Sequence, residues 1–394
     1  MTISQPNFSN RTVIQVTAIP LTASRFLLPL AQALRQNGYS VHFATGAGAE
    51  QETIRAAGFP VHTIAITRRF YAPVNFLAFL QLVALLRQQR CQIMHAHTPV
   101  AGLLGRLAAR LAGVPIILYT LHGTAWDQGT WLRTRLYTLA EWLGSSVTDR
   151  VFVLNDQDER ELIERKYYKP SQITNLGVGG SGINLQRFDP QTISDETRNH
   201  LRQTFGIPYG APVIGYLGRT VREKGILELL QAFVLIQRQI PSAQLVIAGG
   251  AVIGEWDAIH ESDIMTALSG RRDLRQQVHL TGFREDVPAL LSLMDVVVLP
   301  SWREGFGMAL AEAGAMGLPV VATRTRGGQR AVVHGETGFL VPLHQPKLLA
   351  AALTTILTYP TLAQRMGEAG RQRAIAHFSQ EQTIARQLAV YREM

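Results

Sequence analysis

One cysteine, Cys91, stands in 394 residues. That excludes an internal disulfide and a cysteine-rich metal site, and it predicts a reducing compartment. Long apolar runs are also missing. The longest, "FLAFLQLVALL" (Phe76–Leu86), is interrupted by Gln81 and is too short to span a bilayer. The opening "MTISQPNFSNR" is polar and lacks the apolar core of a signal peptide, so a cytoplasmic protein is expected. Acidic residues are scarce at one end. Residues 1–140 hold twelve arginines, no lysine and three Asp or Glu, so the whole net charge of +9 lies there and the remainder is balanced. A basic segment of this kind predicts an anionic partner such as membrane headgroups, a lipid phosphate or nucleic acid. A solvated arginine-rich surface, with Arg106 and Arg110 at ordinary helical spacing, accounts for it equally well.

What is present is the pattern of a well-packed globular chain, 46% hydrophobic and 17% charged, too long for one ordinary core. Short β-rich runs alternate with longer helical ones. "TVIQVTAI" predicts a strand and "ASRFLLPLAQALRQNG" a helix ended by Gly38. "YSVHFAT", "VHTIAI", "CQIMHAH", "VPIILYTLHG" and "DRVFVLN" follow as strands. Around 167–210 the texture becomes rich in Gly, Pro, Ser and Thr, which marks a junction. Alternation restarts with "APVIGYLG", "AQLVIAGG", "QVHLTG", "DVVVLP" and "LPVVAT", and the end, from about 345, is helical. Two doubly wound α/β domains, each a parallel sheet covered on both faces, are expected, with a ligand cleft between them. The predicted spans are 1–190, 191–378 and a closing helix over 379–394 that returns to the first domain.

Three stretches could carry chemistry. In "SWREGFGMALAEAGAMGLPVVAT" (Ser301–Thr323), Gly305 and Gly307 permit a tight turn before a helix whose free amides suit a phosphate. Glu304 precedes that turn, and Glu312 would lie about 12 Å further on if all the intervening residues were helical. A ligand with phosphates in its middle and hydroxyls at both ends fits that layout; two helix-end glutamates without a ligand would have the same spacing. In "GYLGRTVREKGILELL", Arg219 and Lys224 follow a buried strand and can clamp a diphosphate. In "YTLHGTAW", His122 is delivered to a loop above the first sheet, where it could bond a sugar hydroxyl or shuttle a proton. "HAHTPVAGLLG" adds His95 and His97, but no nearby Asp, Glu or Cys completes a metal site there. "GVGGSG" (Gly177–Gly182) satisfies G-x-G-x-x-G yet leads into "INLQRFDP", a poor helix start, and is read as hinge glycine rather than a dinucleotide fingerprint.

Taken together, these motifs resemble the retaining glycosyltransferases of family 4, which have the two-domain GT-B fold, over essentially the whole chain. "EGFGMALAE" looks like the family's E-x7-E motif, followed by "AMGLPVVAT" and "GETGFLVP". "GRTVREKG" resembles its phosphate-clamp segment and "GSGINLQRF" its interdomain segment. The resemblance implies transfer of a sugar from a nucleotide donor to an acceptor hydroxyl with retained anomeric configuration, with no cofactor and no essential metal. In that reading Arg219 and Lys224 stabilise the leaving diphosphate, and Glu304 holds donor sugar hydroxyls. Gly305, Phe306 and Gly307 line the donor, the last two through backbone N–H groups, and Glu312 takes the ribose diol. Phe283 and Arg284 in "TGFRED" lie near the base. His122 reaches the sugar from the first domain, and Pro20 and His97 are placed on the acceptor side. The first loop, "TAIPLTASRFLLPL", lacks the paired glycines of many relatives, so donor-phosphate contacts from it are in question. "SRFLLPLAQALRQNGY" with "HTPVAGLLGRLAARLAGVP" resembles the branch that builds exopolysaccharides and lipid-linked oligosaccharides. That branch implies a UDP-hexose or UDP-N-acetylhexosamine donor, a glycan or polyprenyl-diphosphate-linked acceptor, and contact with the inner face of the plasma membrane.

Three other readings compete. A nucleotide-sugar epimerase of the same fold would lack this combination of paired glutamates and Arg/Lys clamp. A nucleic-acid-binding protein, suggested by the basic pI, would need stacking patches or a recognition motif that the chain lacks, so no nucleic-acid partner is expected. A nicotinamide-dependent oxidoreductase would rest on Gly177–Gly182 alone.

Overall fold

The computed structural model describes residues 11–123, 131–250 and 257–394. Two compact units emerge, one taking in the chain up to Gly182 together with Glu381–Met394, the other Ile183–Gln380. The division falls at 182/183 and 380/381, against the expected 190/191 and 378/379. Ile183 forms a parallel bridge with Ser379, which keeps 183–190 with the second unit. "GVGGSG" closes the first unit's run and opens no helix.

The first unit holds a seven-stranded parallel sheet of β1 (Thr12–Thr17), β2 (Ser40–Thr45), β3 (Val61–Thr63), β4 (Ile93–His97), β5 (Ile116–Thr120), β6 (Arg150–Val153) and β7 (Ile173–Asn175), in the order β3-β2-β1-β4-β5-β6-β7. The last strand, "ITN", lies inside the stretch expected to be linker; it pairs with β6. The helix expected over "ASRFLLPLAQALRQNG" begins earlier, at Pro20, and widens into a π-helical segment over Ala23–Leu27 before Leu28–Gln36. Pro29 has no N–H to give the preceding turn, which accounts for the wider one. The carboxyl-terminal helix Gln380–Glu393 is bound into this unit: Tyr39 donates its hydroxyl to the carbonyl of Tyr391 at 3.2 Å, and Arg386 donates to the carbonyl of Leu176 at 2.9 Å.

The second unit holds a six-stranded parallel sheet of β8 (Val213–Leu217), β9 (Gln244–Ala248), β10 (Val278–Gly282), β11 (Val296–Leu299), β12 (Val320–Thr323) and β13 (Gly338–Val341), in the order β10-β9-β8-β11-β12-β13. The residues of β8, β9, β11 and β12 are all buried, as expected for strands covered on both faces. In each sheet the winding reverses once, between β1 and β4 and between β8 and β11. Loops at the carboxyl ends of strands flanking such a switch point are where α/β sheets bind ligands.

One expected surface arginine is in the core. Arg106 is 1% exposed. It makes two bonds to the Glu141 carboxylate, at 3.0 and 3.1 Å, and donates to Tyr168 Oη at 2.8 Å. Its guanidinium also lies over the Tyr119 ring at 4.0 Å. Helical spacing alone cannot tell an outward arginine from an inward one that finds a carboxylate.

Candidate active site

The second unit's switch point carries a compact charged cluster. β8 ends in a loop that reaches Gly225, where helix Ile226–Ile236 begins. Gly225 has φ 72°, and a Cβ there would lie 2.0 Å from the carbonyl oxygen of Pro300. Only glycine allows this loop to press against the end of β11. Trp302 fastens the two loops: its amide donates to the carbonyl of Glu223 at 2.8 Å and its indole to Glu228 at 2.9 Å.

Across this seam Lys224 Nζ lies 2.5 Å from Glu304 Oε1, and Ser301 donates its hydroxyl to the same oxygen at 2.8 Å. Arg219 Nη2 lies 2.5 Å from Glu223 Oε1, with Arg303 3.8 Å from the other oxygen. Burial pushes the Glu223 carboxyl up, but Arg303, Arg219 and Lys224 together hold it below the usual range. Arg219, Arg303 and Lys224 thus gather around Glu223 and Glu304 beside the sheet's carboxyl edge.

Behind Glu304 the chain turns through Gly305–Gly307 into helix Met308–Ala315, with Gly307 at φ 78° as its cap. The amino end of this helix carries the positive end of its dipole, and its third amide, Leu310, donates back to the carbonyl of the Gly307 cap at 3.0 Å. Phe306 is buried with its ring edge-on to Phe378 at 5.1 Å, and the carbonyl of Glu304 accepts from the amide of Gly327 at 3.0 Å. The turn is thus fixed on both sides. Since Gly305–Gly307 are not helical, a helical rise between Glu304 and Glu312 does not apply; Glu312 lies within the helix, half-buried.

In the first unit, Pro20 opens the short helix after β1 and is buried, His97 is the last residue of β4, and His122 lies in the loop after β5. His97 Nδ1 is 3.3 Å from His122 Nε2. Burial lowers the His122 pKa to about 4 and that of His97 well below its ordinary value, with His95 and His122 adding to the effect on His97. Thr98, next in the chain, sits at φ 68° and ψ 157°, a conformation costing a β-branched residue about 1–3 kcal/mol.

A family described as "Glycosyl transferases group 1" matches residues 197–373, and one described as "Glycosyl transferase 4-like domain" matches residues 22–179. EpsD of Bacillus subtilis (strain 168), which carries a glycosyltransferase name, is 30% identical over 372 residues, covering 93% of this chain and 92% of its own. The chain belongs to the family 4 type of glycosyltransferases. An Escherichia coli relative, the "UDP-Gal:alpha-D-GlcNAc-diphosphoundecaprenol alpha-1,3-galactosyltransferase", is 29% identical over 283 residues, covering 71% of this chain and 70% of its own. Among solved structures, Anabaena Alr3699/HepE in complex with UDP and glucose aligns with a TM-score of 0.79 at 22% identity, over 96% of this chain and 98% of that one. That likeness shows the GT-B fold of paired Rossmann-like units.

Within this glycosyltransferase, Arg219, Lys224, Glu304 and the Gly305–Gly307 turn come together as the sequence predicts, but with one difference. Arg219 and Lys224 are ion-paired with Glu223 and Glu304, so a diphosphate would exchange for carboxylates rather than meet free cations. His97 is corrected: at 1% exposure, with Nε2 2.8 Å from Gln15 Oε1, it stands behind His122 and cannot itself touch an acceptor. Phe283 and Arg284 follow β10; Phe283 is 56% exposed, and Arg284 makes two bonds to Asp286, at 2.8 and 2.6 Å. Thr124–Trp126 of "YTLHGTAW" lie outside the described residues. Sequence reasoning passed over Glu223, Arg303 and Ser301, although all three stand inside quoted motifs. A carboxylate among basic residues was the available sign for Glu223.

Proposed function

We propose that this glycosyltransferase moves a hexose or N-acetylhexosamine from a UDP-sugar to a glycan or polyprenyl-diphosphate-linked sugar, with retained configuration and without an essential metal. The observation that carries the reading is the Lys224–Glu304 pair at the β8/β11 switch point, beside Arg219 and the amino end of helix Met308–Ala315. Arg219, Lys224 and the helix amides take the diphosphate, whose negative charge grows as the sugar–phosphate bond breaks, an electrostatic role. Lys224, drawn to the phosphate, frees Glu304 to accept hydrogen bonds from donor sugar hydroxyls; Glu312 accepts from the ribose diol. The acceptor hydroxyl attacks the anomeric carbon on the face the phosphate leaves and passes its proton to the departing phosphate oxygen. The Escherichia coli relative, named for transfer to GlcNAc-diphosphoundecaprenol, supports the acceptor class.

The test is a thermal-shift panel of UDP-, GDP-, ADP- and dTDP-sugars with and without EDTA, since a ligand bound by the native state raises its stability by mass action. The expected result is a shift for UDP-sugars, insensitive to EDTA and lost in Arg219→Ala. Shifts that require added divalent cation refute metal independence, and a shift for another nucleotide class refutes the donor.

The protein is further proposed to work at the cytoplasmic face of the plasma membrane. Among the described residues no helix is long and apolar enough to cross a bilayer. Helix Trp131–Ser145 turns Trp131, Leu139 and Trp142 to solvent, with the Arg135 guanidinium 3.9 Å from the Trp131 ring centroid. Helix Val74–Gln88 exposes Phe76, Leu77 and Leu80, and Phe70 just before it packs edge-on against Tyr137 of the other helix at 5.5 Å. Apolar side chains beside arginines suit an anionic lipid surface. Co-flotation with vesicles containing phosphatidylglycerol, weakened by salt and by Trp142→Ser, is expected; equal flotation with purely zwitterionic vesicles would refute the electrostatic part.

A further inference from the structure

A row of polar side chains crosses the buried centre of the first sheet. Tyr391, from the carboxyl-terminal helix, places its hydroxyl 2.7 Å from His95 Nδ1 and 3.0 Å from Gln15 Nε2. His95 Nε2 lies 2.7 Å from Thr120 Oγ1. Gln15 Oε1 lies 2.8 Å from His97 Nε2, and His97 Nδ1 lies 3.3 Å from His122 Nε2. Gln15, His95, His97, Thr120 and Tyr391 are all buried; His122 alone is partly exposed. Strand register assembles the row: Gln15 pairs with His95 across β1 and β4, and His97 with Thr120 across β4 and β5. His95 and His97, two apart on one strand, share a face.

Apolar residues could fill these positions without the cost of burying polar groups. A network in which each member is satisfied instead fixes one arrangement of its side chains. The arrangement has a direction. A neutral imidazole offers one N–H and one lone pair, and burial keeps His95, His97 and His122 neutral near pH 7. Gln15 turns its amide nitrogen to Tyr391 and its oxygen to His97. The oxygen accepts, so His97 donates from Nε2 and keeps its lone pair on Nδ1. His122 then donates from Nε2 to that lone pair, and its own lone pair lies on Nδ1. Thr98 at φ 68° holds the end of β4 immediately after His97.

We propose that Gln15, His97 and Tyr391 are positioning residues that hold His122 as the Nε2-protonated tautomer, so that Nδ1 is presented as a hydrogen-bond acceptor to a substrate hydroxyl. The substrate's part in this rests on the proposed function; the tautomer does not. Tyr391 brings the last helix into the row, so a disturbance of that helix reaches His122 through Gln15 and His97. If the Gln15 amide faced the other way, His97 and His122 would both adopt the opposite tautomer, so one spectrum decides the direction.

The experiment is a long-range proton–nitrogen correlation spectrum of the full chain labelled with 15N-histidine at pH 7.5, with His122 assigned through His122→Gln. In the parent, His122 is expected with Nε2 protonated and Nδ1 in the unprotonated range. Gln15→Met, close in shape but without amide groups, is expected to give a mixture of His122 tautomers. Its kcat for UDP release should fall about tenfold, with the KM for the donor within about twofold of the parent. Tyr391→Phe removes only the far partner of Gln15 and should give a smaller change of the same kind, about threefold in kcat; it also serves if Gln15→Met does not fold. An Nδ1-protonated His122 in the parent overturns the proposal, as does a Gln15→Met spectrum unchanged at His122. A shifted tautomer with parental kcat refutes the link to turnover. The proposed function falls separately, if the parent transfers no sugar from a UDP-sugar.

Discussion

Replacing Lys224 separates a structural ion pair from a catalytic one. In Lys224→Ala the Glu304 carboxylate loses a cation 2.5 Å away, where the two side chains are only 16% and 13% exposed. Stranding one member of a fully buried pair costs about 3–5 kcal/mol. Here some water access remains, and the Ser301 hydroxyl still donates to the same oxygen at 2.8 Å, so about 1–2 kcal/mol is expected. For a unit of this size that lowers the melting temperature by about 2–8 °C. The loss in turnover should be larger, because removing one donor from a developing oxyanion typically lowers kcat by about 10²–10³. The double variant Lys224→Ala/Glu304→Gln removes the stranded charge along with the lysine. Its stability should return to within about 0.5 kcal/mol of the parent, while kcat stays low. The assay is UDP release at saturating donor, with melting curves for the parent, both single variants and the double variant. Should kcat recover together with stability in the double variant, the pair is scaffold and the catalytic assignment is wrong.

Gly225→Ala should destabilise the second unit by at least about 1–2 kcal/mol, the cost of the left-handed conformation alone, because its Cβ would also meet the Pro300 carbonyl at 2.0 Å; urea unfolding reads this, and a parental midpoint would refute it. Arg106→Met should cost about 3–5 kcal/mol by stranding Glu141 in the core, and Arg106→Met/Glu141→Met should regain most of it, as melting curves would show. Burial pushes the Cys91 thiol up to about 12, so at pH 8 it should react with a disulfide reagent about 10³-fold more slowly in the native protein than in urea, where a thiol has its ordinary pKa of about 8.5. His95 and His97 have native pKa values below those of the unfolded chain, chiefly through desolvation. The unfolded chain therefore binds more protons, and their contribution to stability, fully present above about pH 6.5, is lost as pH falls, by up to about 1.4 kcal/mol per pH unit for each. Urea unfolding at pH 7, 6 and 5 should show this slope, reduced in His95→Gln.

The parts of the fold visible in sequence are those where one physical demand dominates. Strands such as "VVVL" and "LVIA" are covered on both faces, so they read as apolar runs whatever lies beside them. β7 and β13 are not visible in the same way. "ITN" has three residues amid glycine and proline, and "GFLV" begins on a glycine with φ 158°, where a Cβ would lie 1.9 Å from the carbonyl oxygen of Val320. At the candidate site the residue types were legible, because a glycine-rich turn between a strand and a helix serves few purposes, but the pairings were not. Lys224 and Glu304 are 80 residues apart and Gln15 and Tyr391 376 apart; what brings them together is strand order and register, which no local pattern encodes. Yet the polar row left a trace. In "TVIQVT" and "IMHAH", Gln15, His95 and His97 interrupt strands that a doubly covered sheet would fill with apolar side chains. A buried polar side chain must find a hydrogen-bond partner, so three such interruptions on neighbouring strands point to partners for one another. Read as groups that must be satisfied, the two histidines lead from Tyr391 on the last helix to His122 in the loop after β5.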